Sequence, residues 1–179
     1  MIDIFKSRDT VPMIFQNEMA ECGLACLAII ANYYGKFSDI RTLRESLCMP
    51  AGGASVKHLL QAGLRLDLQG RPLKLDLKDI GLLTLPAILH WDTDHFVVLK
   101  KITSKSFVIH DPAMGIRKYG LSELDHHFTG IAIELSPTVS FTRQRQAKEV
   151  SLKVLFKATP SFRQAIRQVF FLSLLLQVL

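Results

Sequence analysis

Apolar residues fall into two regimes along this chain, a helical one early and a strand-like one later. Leu24, Leu27, Ala28 and Ala31 recur at spacings of three and four, which predicts a helix near 22–35 with Gly35 as a natural stop. Further helices are expected near 38–47, 55–64 and 76–81, the second capped by Ser38 or Asp39 and the third by Ser55. From residue 66 the pattern changes. Strands are expected near 66–74, 86–91, 95–102, 106–110 and 130–135, where β-branched and aromatic residues concentrate. Helices followed by antiparallel strands give an α+β fold in which the first helix packs on a sheet.

Cys22 opens the first helix. It sits in the first turn, where unpaired backbone N–H groups and the helix dipole favour an anion, and the thiolate is the nucleophilic form of cysteine. A cysteine there can equally be a small buried apolar residue. What weighs against that is the far end of the chain. The polar stretch Thr103–Ser106 reads as a hairpin turn, His95 lies nine positions before Ser104, and Asp111 lies seven after it. The hairpin therefore brings His95 and Asp111 to its open end on neighbouring strands. An aspartate there can hold an imidazole in one tautomer while the other ring nitrogen faces a thiol. Spacing alone does not bring Cys22 to that pair, because such a triad is spatial rather than sequential.

The remaining histidines carry less. His58 belongs to an amphipathic helix and is expected at the surface, His110 should point to the face opposite Asp111, and His90 lies inside a strand. His126 and His127 are expected in a polar loop before the last strand. No pair of these has zinc spacing together with cysteines, and Cys22 and Cys26, four apart on one helix, are a poor metal pair. No metal and no cofactor is expected. Three cysteines make no disulfide framework, and Cys48 is expected to be structural or incidental.

Gln16, Cys22, His95 and Asp111 stand in the order of parts that a papain-type cysteine peptidase uses. The stretches QNEMAECGLACLAIIANYYG, LPAILHWDTDHFVVLKKI, FVIHDPAMGIRKY and FTGIAIELSP resemble the N-terminal peptidase domain of bacteriocin-exporting ABC transporters of the colicin V type. The resemblance covers roughly residues 10 to 137. It implies a papain-like fold and a double-glycine leader peptidase that cuts a precursor peptide after a Gly-Gly pair. By the same resemblance Cys22 is the nucleophile, His95 the general base and acid, Asp111 the residue orienting His95, and Gln16 the oxyanion-hole donor. ATP and Mg would belong only to a downstream ATPase domain, and the full transporter would be a homodimer.

Charge divides the chain. The net +6 lies between 141 and 167, where seven basic residues face Glu149 alone, while residues 1–140 balance at fifteen of each sign. The basic excess thus belongs to a tail, and no nucleic-acid partner is expected. After it comes VFFLSLLLQVL, residues 169 to 179. Eleven residues of helix cover about 16 Å, roughly half a hydrocarbon core, so the chain is expected to stop inside a first transmembrane helix with positive charge on the cytoplasmic side. The expected divisions are a peptidase domain over 1–137, a basic linker or interfacial segment over 138–163, broken near Pro160, and the start of a membrane helix over 164–179. MIDIFKSRD shows no secretory signal. The location implied is the bacterial inner membrane, with the peptidase domain in the cytoplasm.

Two alternatives stay open at this point. One is a dormant domain of the same fold that docks cargo without cutting it. The other is a soluble cysteine hydrolase or acyltransferase with the same triad. A thiol-redox role is remote, since Cys22 and Cys26 lack the C-x-x-C spacing.

Overall fold

A computed structural model describes residues 10–47, 50, 52–144 and 160–178. Cys48 and the segment 145–159, with half of the basic excess, lie outside the described residues. The chain divides after residue 145 into two compact units.

The first unit opens with a 3₁₀ turn, Met19–Glu21, that runs into α1, Cys22–Tyr34. Two more helices follow, α2 (Ile40–Leu47) and α3 (Val56–Arg65). Their starts are capped as the sequence suggests: Asp39 accepts the Thr42 N–H at 2.7 Å, and Ser55 accepts the His58 N–H at 3.3 Å. Helix α1 ends where Gly35 adopts φ 94°, a conformation open to glycine at no steric cost.

Every residue of α1 from Cys22 to Asn32 is buried, which its three-and-four spacing understates. The helix packs on the sheet and is covered by α2 and α3, so its whole circumference is apolar. Leu24, Leu27, Ile29 and Ile30 are at most 1% exposed, and burying each contributes about 1.5–3 kcal/mol.

Six strands form one antiparallel sheet in the order β1-β6-β2-β3-β4-β5. They are β1 (Leu68–Lys74), β2 (Ala87–Trp91), β3 (His95–Ile102), β4 (Phe107–Asp111), β5 (Gly115–Tyr119) and β6 (Phe128–Pro137). One face packs on α1. The other is covered by a second apolar cluster that includes Ile80, Leu83 and Leu124. Burial on both faces is why β2 and β3 read as continuous apolar runs rather than alternating ones.

Three elements depart from the sequence expectation. Strand β5, GIRKY, is an edge strand with Ile116, Arg117 and Lys118 exposed, so it shows no buried face to the eye. Helix α4, Leu121–His127, replaces the expected polar loop and carries His126 and His127 in its last turn; its one buried residue is Leu124. A seven-residue helix with one core contact has no legible period. The expected helix near 76–81 is a 3₁₀ turn, Leu77–Leu82.

In the second unit, helix α5 runs from Pro160 to Val178, with Val169, Phe170, Phe171 and Leu174–Leu176 exposed. Among the described residues no helix is long and apolar enough to cross a membrane.

Candidate active site

The approach to α1 is held by Glu21. Its buried carboxylate accepts the N–H groups of Asn17 and Glu18, each at 3.1 Å, and pairs with Arg44 of α2. This fixes the turn that delivers Cys22 at the head of α1. Gly23 lets that head approach α3: a Cβ there would stand 3.0 Å from both the Ala54 Cβ and a Leu59 methyl. Cys22 is 3% exposed, and its sulfur lies 4.0 Å from the Asp94 carbonyl oxygen in the β2–β3 turn.

The turn Thr103–Ser106 closes the β3–β4 hairpin, with Ser106 N–H bonded to Thr103 Oγ1 at 3.0 Å, and His95 and Asp111 stand at its open end. His95 Nε2 is 2.9 Å from Asp111 Oδ1. That bond leaves Nδ1 as the ring nitrogen to face Cys22, whose proximity also favours the protonated imidazole. Burial works against a charged His95, but the bonds to Asp111 and Cys22 and their charges outweigh it and push its pKa up to about 9. Asp111 is the counterpart. Burial would raise its carboxyl, yet His95 and the backbone N–H groups of Ala113 (2.8 Å) and Met114 (3.2 Å) hold it below the usual carboxylate range.

Gln16 reaches the same end of the molecule by a route the sequence did not reveal. Its backbone N–H donates to the Pro112 carbonyl at 3.0 Å, next to Asp111. Its side-chain Oε1 is buried and has no hydrogen-bond partner among the described residues. An unpaired buried carbonyl oxygen is costly, and an oxyanion, itself an acceptor, would bond the other end of the amide, Nε2. Four residues earlier in the chain, the Pro12 carbonyl meets Nδ1 of His110 at 3.1 Å. His110 is fully buried, not merely turned away from Asp111. Burial holds its pKa below the ordinary histidine value, so the neutral ring donates from Nδ1 to Pro12. The segment carrying Gln16 is thus tied to β4 and to the loop after it.

Cys26 lies one turn deeper in α1 and is fully buried; burial first, then the charges of Cys22 and Asp111, push its thiol well above the ordinary value. Cys22 instead borders a cleft of about 740 Å³ running between the N-terminus of α3 and the β2–β3 turn. Met19, Val56, His90, Phe96 and Ile131 supply much of its apolar wall, with Lys57 and Asp94 at its polar rim. His58, half-buried, lines this cleft rather than the open surface and bonds Ser55 through Nδ1. His90 Nδ1 meets Thr129 Oγ1 at 2.8 Å, and His127 stacks on Trp91 and bonds Asp92 at 2.8 Å. Among the described residues no group of three or more His, Cys, Asp or Glu side chains is placed to hold a metal ion.

A thiol and an imidazole braced by a carboxylate, at the end of an apolar cleft, form an arrangement suited to acyl transfer. Residues 10–140 match the Peptidase C39 family. The chain belongs to that family. It is therefore a cysteine peptidase domain, and its relatives are exporters. It is 38% identical over 172 residues to the probable microcin-H47 secretion/processing ATP-binding protein MchF of Escherichia coli, covering 96% of this chain and 25% of that protein. It is 37% identical over 169 residues to the colicin V secretion/processing ATP-binding protein CvaB of Escherichia coli, covering 94% and 24%. The chain thus spans about a quarter of the length of the curated relatives it matches. Among solved structures it is similar to a double glycine motif protease from an AMS/PCAT transporter in complex with its leader peptide. That match has a TM-score of 0.69 and 34% identity, covering 74% of this chain and 96% of that one. It is also similar to the peptidase domain of Streptococcus ComA, with a TM-score of 0.66 and 27% identity over 72% of this chain and all of that one.

Proposed function

We propose that this C39 peptidase domain removes the leader from a precursor peptide by cutting after a Gly-Gly pair, with Cys22, His95, Asp111 and Gln16 as its working groups and a papain-like arrangement of helix and sheet. The observation that carries the reading is the His95 imidazole, bonded to the Asp111 carboxylate at 2.9 Å and interacting with Cys22, whose thiol borders the cleft. Raised to about 9, His95 is the imidazolium at neutral pH, and its proton is the one shared with Cys22. The sulfur attacks the carbonyl carbon of the last leader glycine, and the C=O electron pair moves onto oxygen. The Gln16 amide and the Cys22 backbone N–H receive that charge; one such donor is typically worth about 2.7–4 kcal/mol. His95 then gives its proton to the departing amine as the C–N bond breaks, leaving a thioester. Water, losing a proton to His95, releases the leader acid and restores the thiol. No cofactor takes part in these steps.

The leader lies in the cleft with its apolar residues against Val56, Phe96 and Ile131, as an amphipathic helix does in a groove. Beyond the peptidase domain, the chain supplies the basic segment and the start of a membrane helix of a homodimeric, ATP-driven exporter in the bacterial inner membrane. The peptidase domain then faces the cytoplasm, where the leader is still attached. Cleavage of a synthetic colicin V leader, followed by mass, tests the reading. The wild-type chain releases the leader and Cys22→Ala does not, although it still binds it. If both are equally inert while both bind, the domain docks cargo without cutting it.

A further inference from the structure

A peptide cut at Cys22 leaves the site in two directions, and the cleft accounts for one of them. Its wall is drawn from residues 19–22, 52–58, 90–96 and 131, and none of it comes from 12–16 or 111–116. Those two segments meet each other instead. The Gln16 N–H bonds the Pro112 carbonyl, and the Phe15 ring lies 3.5 Å from where a Cβ on Gly115 would stand. Met114, the residue before, donates its backbone N–H to Asp111. Phe15 is 58% exposed, Met114 62% and Ile116 57%. Single exposed apolar side chains are ordinary. Here three of them border one glycine, directly beside Gln16 and the carboxylate that braces His95.

We infer that Phe15 and Met114 form an apolar seat for the first residues of the released peptide, the cargo side of the cut, so that the peptidase selects for apolar residues just after its cleavage site. The inference rests on the peptidase reading above. Its physical basis is continuity. The leader side of the cut fills the cleft at Cys22, so the chain on the amine side leaves away from that cleft, toward the joined segments that carry Gln16 and Asp111. Phe15 and Met114 supply adaptable apolar surface there, and methionine in particular moulds to varied partners. An exposed shelf of this kind discriminates by contact area rather than by a closed pocket.

Two substrates separate the inference from the reading beneath it. One is a colicin V leader ending in Gly-Gly with an aminocoumarin as leaving group. The other is the same leader followed by a cargo segment whose first three residues are apolar. For the full chain, the ratio of kcat/KM for the long substrate to that for the coumarin amide is measured in wild type and in the double variant Phe15→Ser, Met114→Ser. The ratio falls about tenfold in the double variant and returns toward wild type in Phe15→Leu, Met114→Leu. An unchanged ratio overturns the inference. So does an unchanged ratio accompanied by a shift in sedimentation from dimer to monomer, which makes the patch a contact between copies. Should the double variant not fold, wild type alone decides: long substrates with apolar residues after the glycines are cut about tenfold faster than those with charged ones, and equal rates overturn the seat. If wild type cuts neither substrate, the peptidase reading has failed instead.

Discussion

His95 and Asp111 end two neighbouring strands, and their side chains meet at 2.9 Å across the open end of the β3–β4 hairpin. The contact sets both the orientation and the charge of the imidazole. Nε2 is taken by the carboxylate, which leaves Nδ1 for sulfur, and the same bond helps raise the histidine pKa to about 9 against burial. The carboxylate is itself fixed by two backbone N–H groups, so it does not rotate away from the ring.

Asp111→Asn should therefore act on rate and on pH dependence together. Activity of the wild type falls as pH rises through about 9, where the imidazolium is lost. Asparagine cannot supply the charge that raises His95, so the alkaline limb moves to lower pH, and kcat falls on the order of 100-fold or more. Stability follows the same sign. His95 is raised above its unfolded value, so its contribution is fully present below roughly pH 6.5 and is lost above about 9. A pH profile of kcat/KM for both proteins checks this; an unmoved alkaline limb removes Asp111 from its role.

Gln16→Ala tests the oxyanion donor. With Gln16 absent, charge on the attacked carbonyl loses one hydrogen bond, and kcat is expected to fall about 100-fold with leader affinity nearly unchanged. Steady-state kinetics paired with leader binding to Cys22→Ala, with and without the Gln16 change, separates the two quantities. A pure loss of affinity would contradict the assignment.

His110→Ala probes the tether behind Gln16. The substitution removes the bond to the Pro12 carbonyl and empties a fully buried ring site, so stability should drop by about 1–3 kcal/mol. Because Gln16 is carried by the same segment, kcat should fall further than leader affinity. Thermal unfolding alongside kinetics reads both; an unaltered Tm with unaltered kcat would show that Pro12 needs no anchor.

Much of this framework is legible in the residues themselves. Thr103–Ser106 marks the turn, and counting outward from it pairs His95 with Asp111. Gly35 and Ser55 mark where α1 stops and α3 starts. What stayed hidden depends on distant packing. β5 carries its polar residues outward at a sheet edge, and α4 offers Leu124 alone to the core, so neither shows a period. The cleft beside Cys22 gathers residues from four stretches of chain, and no local pattern foretells which of them meet. The link from His110 to Pro12 spans 98 positions and joins a strand to an irregular segment.

In the proposed mechanism the sulfur of Cys22, poised against His95, performs the cut. Alkylation by iodoacetamide, with the modified cysteine located by peptide mass and residual leader cleavage measured at each time point, tests it most directly. Cys22 should be modified first, with cleavage disappearing in step with its modification, while Cys26, buried and held as a thiol, stays unlabelled. Undiminished cleavage after Cys22 is fully alkylated, or inactivation that tracks Cys26 or Cys48 instead, would contradict it.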